Sequence, residues 1–519
     1  MPSLTIDGQE VIVPEGTTVI QAAEKLGIYI PRYCYHPGLS IAGSCRMCLV
    51  EVENMPKQQI SCNTLVQDGM KVIASSDKVK DSRRAMLEFL LINHPLDCPV
   101  CDQSGECDLQ NYYMDIGRYE SRFLEDKIKR KKAYALGTHV VLDQERCILC
   151  TRCTRFTEEI SKTNELGIFQ RGNSSVIDLY PEKTLDNKYS GNVIDICPVG
   201  ALTEREFRFK CRVWYLNMQD SVCNRCARGC NIKLHFNASD RSYKAGGKRV
   251  VRVKPRFNPH VNKWWMCDEG RFGYEFIDKN RIEYPHLRRS GSLEPSDWDA
   301  VLTEVAATLN TALEEHESGS VGVIASPQLS NEELYLIRKL FVEMLGISQV
   351  AYQNPWEEEG YQDGFLVRAD KNPNSRGAQA LGLAGDARQI LQKAAAGDIR
   401  FLYVFQHSFE SQEAMELLKQ APYVVFQGTN WNRTTDSAHA VLPGAVYAEK
   451  DGTFTNFEGR IQRFQQALLP TEEASPDNEV LTRLALKLGH QLVYLTAEDL
   501  FMEWQGKSYE EMNEFGEMI

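Results

Sequence analysis

The stretch 94-HPLDCPVCDQSGEC-107 sets a histidine four residues ahead of a thiol, then follows Cys-x2-Cys with Cys-x5-Cys. Thiol and imidazole groups so spaced bind metal or carry redox chemistry, and other cysteines of the chain gather in similar sets. Cys34, Cys45, Cys48 and Cys62 form a Cys-x10-Cys-x2-Cys-x13-Cys pattern. Three ligands on one loop with a fourth on the next segment suit a 2Fe-2S cluster. Cys147, Cys150 and Cys153 stand at Cys-x2-Cys-x2-Cys spacing, and a remote Cys197-Pro198 completes them. Such a triple can grip three corners of a 4Fe-4S cube while the Cys-Pro closes the fourth. Cys223, Cys226 and Cys230, joined by the distant Cys267, repeat the three-plus-one arrangement.

Two parts of the cysteine pattern need a further reading. Cys211, in the apolar setting FRFKCRVWY, is a buried structural thiol. Cys98, Cys101 and Cys107 cannot complete a cube alone, and His94 stands where a fourth ligand is needed. The alternative role for His94 is that of a histidine at a helix C-terminus, favoured by the macrodipole; the completeness of the other sets favours ligation. A neutral imidazole in place of a thiolate removes one negative charge and raises the potential, as in Rieske centres. Zinc is the other metal such sets bind. Zinc ribbons, however, pair two separated Cys-x2-Cys knuckles, whereas three of these sets are lopsided. The third set also resembles a two-cluster ferredoxin segment that keeps one cube: 153-CTRFTEE-159 lacks a second Cys-Pro, and 191-GNVIDICP-198 has a single cysteine.

At 519 residues the chain exceeds one core and suggests several domains. Sixteen cysteines in a chain whose opening MPSLTIDGQEVIVPEG lacks a secretory signal point to a reducing cytoplasm and to metal or redox use. No apolar window is long enough to span a bilayer. A formal charge of -12 counts against a nucleic-acid binder. The basic run 127-KIKRKK-132 reads as solvated linker surface, or else as a patch that docks on an acidic partner face.

The elements that must position these sets are legible in part. SLTI and EVIV flank Asp7-Gly8, a hairpin signal. A helix starts at Thr18, whose Thr-x-x-Gln offers a capping box, carries Val19, Ala23 and Leu26 on one stripe and stops at Gly27. The segment 78-KVKDSRRAMLEFLLIN-93 repeats Met86, Phe89 and Leu90 at helical spacing and ends at His94-Pro95. Beyond about residue 273 strands alternate with amphipathic helices: VGVIAS, then a helix capped by Ser330 and Glu333, then FLYVF and YVVFQG. This alternation predicts an α/β domain with a mainly parallel sheet. A final helix carries Val480, Leu481, Leu484 and Leu488 on one face and ends at Gly489.

Four quartets in this order resemble the large iron-sulfur subunit, known as the G subunit, of bacterial respiratory complex I, the proton-pumping NADH:quinone oxidoreductase. The resemblance implies one 2Fe-2S cluster on Cys34, Cys45, Cys48 and Cys62, and a 4Fe-4S cluster on His94, Cys98, Cys101 and Cys107. It implies two more 4Fe-4S cubes, on Cys147, Cys150, Cys153 and Cys197 and on Cys223, Cys226, Cys230 and Cys267. The first three would relay electrons from a flavin subunit towards quinone, with the fourth off the main path. The C-terminal part looks like the molybdopterin-oxidoreductase superfamily, through 296-SDWDAVL-302 and 443-PGAVYAEKDGTFTNFEGRIQ-462. Glu269 stands where catalytic members carry a lysine, and roughly 245 residues are too few for a complete pterin cradle, so no molybdopterin is expected.

The implied architecture is multidomain α+β and α/β. It comprises a β-grasp 2Fe-2S ferredoxin over 1–78, a helical segment with the one-histidine three-cysteine site over 79–118, and a 4Fe-4S ferredoxin-like domain over 138–217. A 4Fe-4S domain of the molybdenum/tungsten-pterin type follows over 218–272, then a truncated molybdopterin-oxidoreductase-like domain over 273–519. No dinucleotide fingerprint or flavin site is present, so NADH and quinone sites lie on other subunits. The implied partners are the flavin/NADH-binding subunit, a small 2Fe-2S subunit and quinone-side iron-sulfur subunits. No nucleic acid is expected, and the protein would lie peripherally on the cytoplasmic side of the plasma membrane, touching it only through the complex. The rival readings are an electron-transfer subunit of an NAD-linked hydrogenase or formate dehydrogenase, and a zinc-stabilised scaffold.

Overall fold

The computed structural model describes residues 1–237, 247–316, 318–492 and 494–518. The chain forms two compact units, Met1–Leu216 and Asn217–Ile519.

In the first unit, Asp7 and Gly8 take positive φ and turn strand Ser3–Ile6 back on Gln9–Ile12, because a two-residue hairpin turn requires the left-handed region that Gly reaches freely. The sheet continues through Met70–Ile73 and Leu49–Val52 to Gln59–Ile60. Helix Val19–Lys25 lies on it, with Gln21 Oε1 accepting from the Thr18 amide at 2.9 Å. Leu4, Ile6, Val19, Ala23, Val50 and Val72 close the core beneath.

Helix Asp77–Leu91 begins at Ser76, whose hydroxyl accepts from the Val79 amide, and turns Val79, Arg83 and Leu87 inward. This inner face differs from the Met86, Phe89 and Leu90 stripe read from the sequence: Phe89 is 67% exposed. Arg83 accounts for the shift, since its Nη2 donates to Leu49 O at 2.9 Å and a buried guanidinium takes the place of an apolar residue. Helix Asp108–Ile116 packs on the same helix. Short sheets of Leu202–Glu204, Val140–Leu142 and Tyr134–Ala135, and of Leu166–Phe169 and Val176–Leu179, frame the helical turn Arg152–Arg155.

The second unit opens with the three-stranded sheet Leu216–Val222, Asn231–Asn237 and Val250–Pro255. Its larger sheet has seven strands in the order Ser292–Pro295, His286–Arg289, Ala440–Pro443, Val424–Gly428, Phe401–Phe405, Val321–Ala325, Gln349–Ala351. The last five run parallel, and the expected alternation of strand and helix is present. The central strands are buried throughout because helices cover both faces. Ser330 and Glu333 form the expected capping box of Asn331–Ile337. Helix Asp477–Lys487 buries Val480, Leu481 and Leu484. It is not the last helix, since Ala497–Gln505 follows with only Leu500 and Phe501 fully inside; so short an apolar stripe carries little periodic signal.

Charges buried among these layers are matched. Lys450 Nζ lies 2.6 Å from Glu333 and 3.0 Å from Asp477, all three essentially inaccessible. Arg281 makes two bonds to Glu449, at 2.8 and 2.9 Å. Replacing one member leaves the others charged and dry. Lys450→Ala is therefore expected to lower stability by about 3–5 kcal/mol, read as the urea midpoint of the second unit's transition. A loss within the usual surface range, below roughly 0.5 kcal/mol, would contradict the pairing.

Candidate metal centres

The first unit brings Cys34, Cys45, Cys48 and Cys62 together in two hydrogen-bonded pairs. Cys45 holds the Cys34 thiol down at about 5, and Cys62 holds Cys48 at about 7. The partners Cys45 and Cys62 are pushed up by the same bonds. In each pair the hydrogen bond favours the thiolate form of one member and the thiol form of the other. Cys48 lies in the field of buried Arg83.

The third set is the most tightly built. Leu149 and Thr151 take positive φ between the cysteines of 147-CILCTRC-153, a winding that turns successive amides inward and makes an anion-binding nest. The Leu149 amide lies 3.4 Å from Cys147 Sγ. Cys147, Cys150, Cys153 and Cys197 line one cavity, walled by Leu142, Ile177 and Val199. Burial pushes Cys147 and Cys197 up to about 12. Burial in this apolar cavity raises all four thiols, so a cation is needed to hold them as thiolates.

The opening motif lies partly at the surface. Cys98 is exposed, while Cys101 and Cys107 are buried. Cys107 caps helix Asp108–Ile116, and Arg212 holds the loop by donating to Cys101 O. His94 does not cap the preceding helix: the Leu91 and Ile92 carbonyls accept from Lys127 Nζ at 2.7 and 2.8 Å. Its Nδ1 is buried with no partner among the described residues, and burial lowers the ring to about 4, so it is neutral. A neutral imidazole with a free nitrogen is the form that binds metal. Among the described residues no hydrogen bond joins Nδ1 to any of the three thiols; His94 and Cys101 both lie in the field of Arg146 and Asp97.

In the second unit, Cys223, Cys226, Cys230 and Cys267 are all buried and share one field. The Cys223 amide donates to Cys230 O at 2.8 Å, and Cys267 Sγ caps Asp268–Phe272 through the Gly270 amide. Gly270 is required there, since a Cβ would stand 2.9 Å from Cys223 Sγ. Cys211 is buried as expected, its Sγ 3.5 Å from the O of Arg212, whose guanidinium holds the loop of Cys101.

Among the described residues no three His, Cys, Asp or Glu side chains stand close enough to grip a single ion; a cluster instead holds its thiolates on separate irons. The donor sets fit anionic clusters for another reason. A buried arginine nitrogen without a partner among the described residues stands in or beside three of the sets: Arg146 Nη1, Arg152 Nε and Arg225 Nε. Sequence reasoning missed these arginines, although each adjoins a cysteine or lies between two of them. The run 127-KIKRKK-132 is largely exposed, as a solvated surface requires, and also makes contacts that sequence reasoning did not foresee. Besides Lys127, Lys132 binds Asp97 at 3.1 Å and Glu145 at 2.8 Å, and Arg130 donates to Asn173 O and Ser175 O. The run also ties the His94 loop to the third set's frame.

Comparison with known proteins matches residues 2–77 to a 2Fe-2S iron-sulfur cluster binding domain and 83–122 to the NADH-ubiquinone oxidoreductase-G iron-sulfur binding region. Residues 137–203 match the ferredoxin-like domain of NADH-quinone oxidoreductase subunit 3, and 281–359 with 370–487 match molybdopterin oxidoreductase. The fourth set falls between the matched spans. The mitochondrial 78 kDa subunit of NADH-ubiquinone oxidoreductase from Neurospora crassa is 32% identical, over 95% of this chain and 81% of that one. The G subunit of NADH-quinone oxidoreductase from Rickettsia conorii is 39% identical, over 93% and 87%. The chain belongs to the G-subunit family of NADH-quinone oxidoreductases. It is an iron-sulfur electron-transfer subunit of that oxidoreductase. Among solved structures, an NAD+-reducing [NiFe]-hydrogenase in the H2-reduced state is 32% identical, covering 41% of this chain and 91% of its own, with a TM-score of 0.38. The domain order read from the sequence, 2Fe-2S, 4Fe-4S regions and then the molybdopterin-oxidoreductase-like part, stands in this family.

The second and third sets meet at the loop after Cys197. Asp108 N donates to Pro198 O, and a Cβ on Gly200 would stand 2.3 Å from Cys101 Sγ. A free thiol could rotate away from that methyl, whereas one bound to iron cannot. Gly200→Ala is therefore expected to cost the purified protein one cluster, about four irons, with the remaining iron retained. Unchanged iron content would show that Cys101 is not held.

Proposed function

We propose that this subunit is the relay that carries electrons through the peripheral arm of a proton-pumping NADH:quinone oxidoreductase, from the flavin subunit towards quinone. In this reading Cys34, Cys45, Cys48 and Cys62 hold a 2Fe-2S cluster; His94, Cys98, Cys101 and Cys107 hold a 4Fe-4S cluster; and the sets closed by Cys197 and by Cys267 each hold a 4Fe-4S cube. The groups supply one-electron acceptance and donation. The residues of the chain bind them, exclude water from them and balance their charge. The observation that carries the reading is that three ligand sets lie in one unit and interlock through short backbone bridges, with the third set sharing contacts with both the first and the second. The domains are assigned as 1–78, 79–118, 138–217, 218–272 and 273–519, the first with a β-grasp sheet and the last truncated. The fourth cube lies off the electron path.

The last domain is proposed to hold no molybdopterin. Open α/β sheets bind ligands beyond the carboxyl ends of their strands. There the crevice is lined by Glu357, Glu358, Glu359 and Asp370, which repel a pyrophosphate. His407, neutral and lowered to about 4 by burial, is occupied with the Ala325 and Tyr352 carbonyls. Glu269, where a lysine would be needed, faces Lys371 at 3.0 Å.

The partners of this reading are the flavin/NADH-binding subunit, a small 2Fe-2S subunit and quinone-side iron-sulfur subunits. Among the described residues no helix is long and apolar enough to cross a membrane, which suits a peripheral place on the cytoplasmic side of the membrane.

Anaerobically purified protein is expected to contain about fourteen irons and as much acid-labile sulfide; zinc without sulfide would refute the reading. His94 gives a second test by paramagnetic resonance of the reduced protein. His94→Cys adds a negative charge and is expected to lower the second cluster's potential with the cube retained, while His94→Ala opens an iron corner and loses the cluster or leaves three irons. Spectra unchanged in both variants would remove His94 from the ligand set.

A further inference from the structure

Arg152 and Arg155 are each only 8% exposed, and each spans the first and third ligand sets. Arg155 Nη2 donates to Cys34 O at 2.6 Å and to Cys150 O at 3.3 Å, while its Nη1 donates to Ser40 O and its Nε to the Thr151 hydroxyl at 3.2 Å. Arg152 Nη2 donates to Tyr35 O, next to Cys34, at 2.7 Å, and its Nη1 to Ile196 O, next to Cys197, at 3.1 Å. Every one of these acceptors is neutral, and among the described residues neither guanidinium has an ion pair. Asp108 registers Arg152 only through its field.

Two permanent cations buried together without a paired carboxylate are costly unless an anion is buried with them. The ionisable groups in their field are the Asp108 carboxyl, the His36 ring and the Cys150 thiol.

The geometry points to Arg152 and Arg155 as the positioning and potential-setting residues for electron exchange between the first and third clusters, a role that rests on the ligand assignment proposed above. Each guanidinium fixes a ligand loop of one set against that of the other, so the distance between the groups is set by two rigid forks. Each also places a positive charge between two thiolate cages. An electron arriving at either side adds negative charge, and that charge is stabilised where the arginines already stand. The step itself oxidises one cluster and reduces the other by one electron. No proton moves through the pair, because arginine stays charged throughout.

Redox titration of the full chain in its complex, followed by paramagnetic resonance, reads each cluster signal separately. Arg155→Gln and Arg152→Gln are expected to lower the midpoints of both the first and third clusters by on the order of tenfold in the reduction equilibrium, about 59 mV for a one-electron couple. The fourth cluster is expected to keep its midpoint, and Arg155→Lys, which keeps the charge, to return both midpoints to the wild-type values. Midpoints unchanged in both glutamine variants, or a shift confined to one of the two signals, would overturn the role. If the glutamine variants lose both signals, retention of the signals in Arg155→Lys and Arg152→Lys supports the charge role, and their loss there too overturns it. Absence of every cluster signal from the wild-type chain would overturn the ligand assignment, and this role with it.

Discussion

A buried thiolate is a charge taken out of water, and a set of four cannot be buried without cations close by. That constraint shapes the first unit. Its cysteine loop with positive φ at Leu149 and Thr151 is wound so that amides face the sulfurs, as Leu149 N faces Cys147 Sγ and Arg152 N faces Cys150. Its interior also accepts guanidinium groups where a domain of this size would ordinarily place aliphatic side chains: Arg83, Arg146, Arg152 and Arg155 are all buried. Helix Asp77–Leu91 turns Arg83 inward for the same reason and leaves Phe89 in water. The local breach of amphipathic pattern follows from the electrostatics of the site.

The same constraint explains how distant segments are joined. Backbone carbonyls beside the cysteines are the acceptors that remain once the sulfurs are committed, and arginine's planar fork reaches two of them at once. Arg152, Arg155 and Arg212 all work in this way, each holding carbonyls on or next to ligand cysteines. Tyr33 adds an apolar link of the same kind. It is fully buried, its ring lies 5.1 Å from that of Tyr112, and it lies in the fields of both Cys107 and Cys45.

What could be read beforehand follows from the range of each interaction. The Asp7-Gly8 turn, the capping boxes at Thr18 and Ser330 and the Cys-x2-Cys-x2-Cys triple depend on residues close in sequence. The structure contains the turn and both caps, and it lines one cavity with the triple and Cys197. The role of 127-KIKRKK-132 depends on Leu91, Asp97 and Asn173, which only folding brings near. The arginine bridges join residues more than a hundred positions apart. Their one local trace was an arginine inside or beside a cysteine triple, which composition alone would assign to a solvated surface.

The seven-stranded sheet region of the second unit and the first unit balance their buried charges in different ways. In the sheet domain, Lys450 has Glu333 and Asp477, Arg281 has Glu449, and Glu332 accepts from Thr453 and Tyr509. That network closes on protein groups and asks nothing of a ligand. In the first unit, Arg152 and Arg155 close on carbonyls and, among the described residues, leave their charge unmatched by any side chain. Under the proposed ligand assignment the bound groups supply the missing negative charge, which couples folding there to filling the sites. The buried charges of the sheet domain are thus matched by its own side chains, whereas those of the first unit call for an anion that its described side chains do not supply.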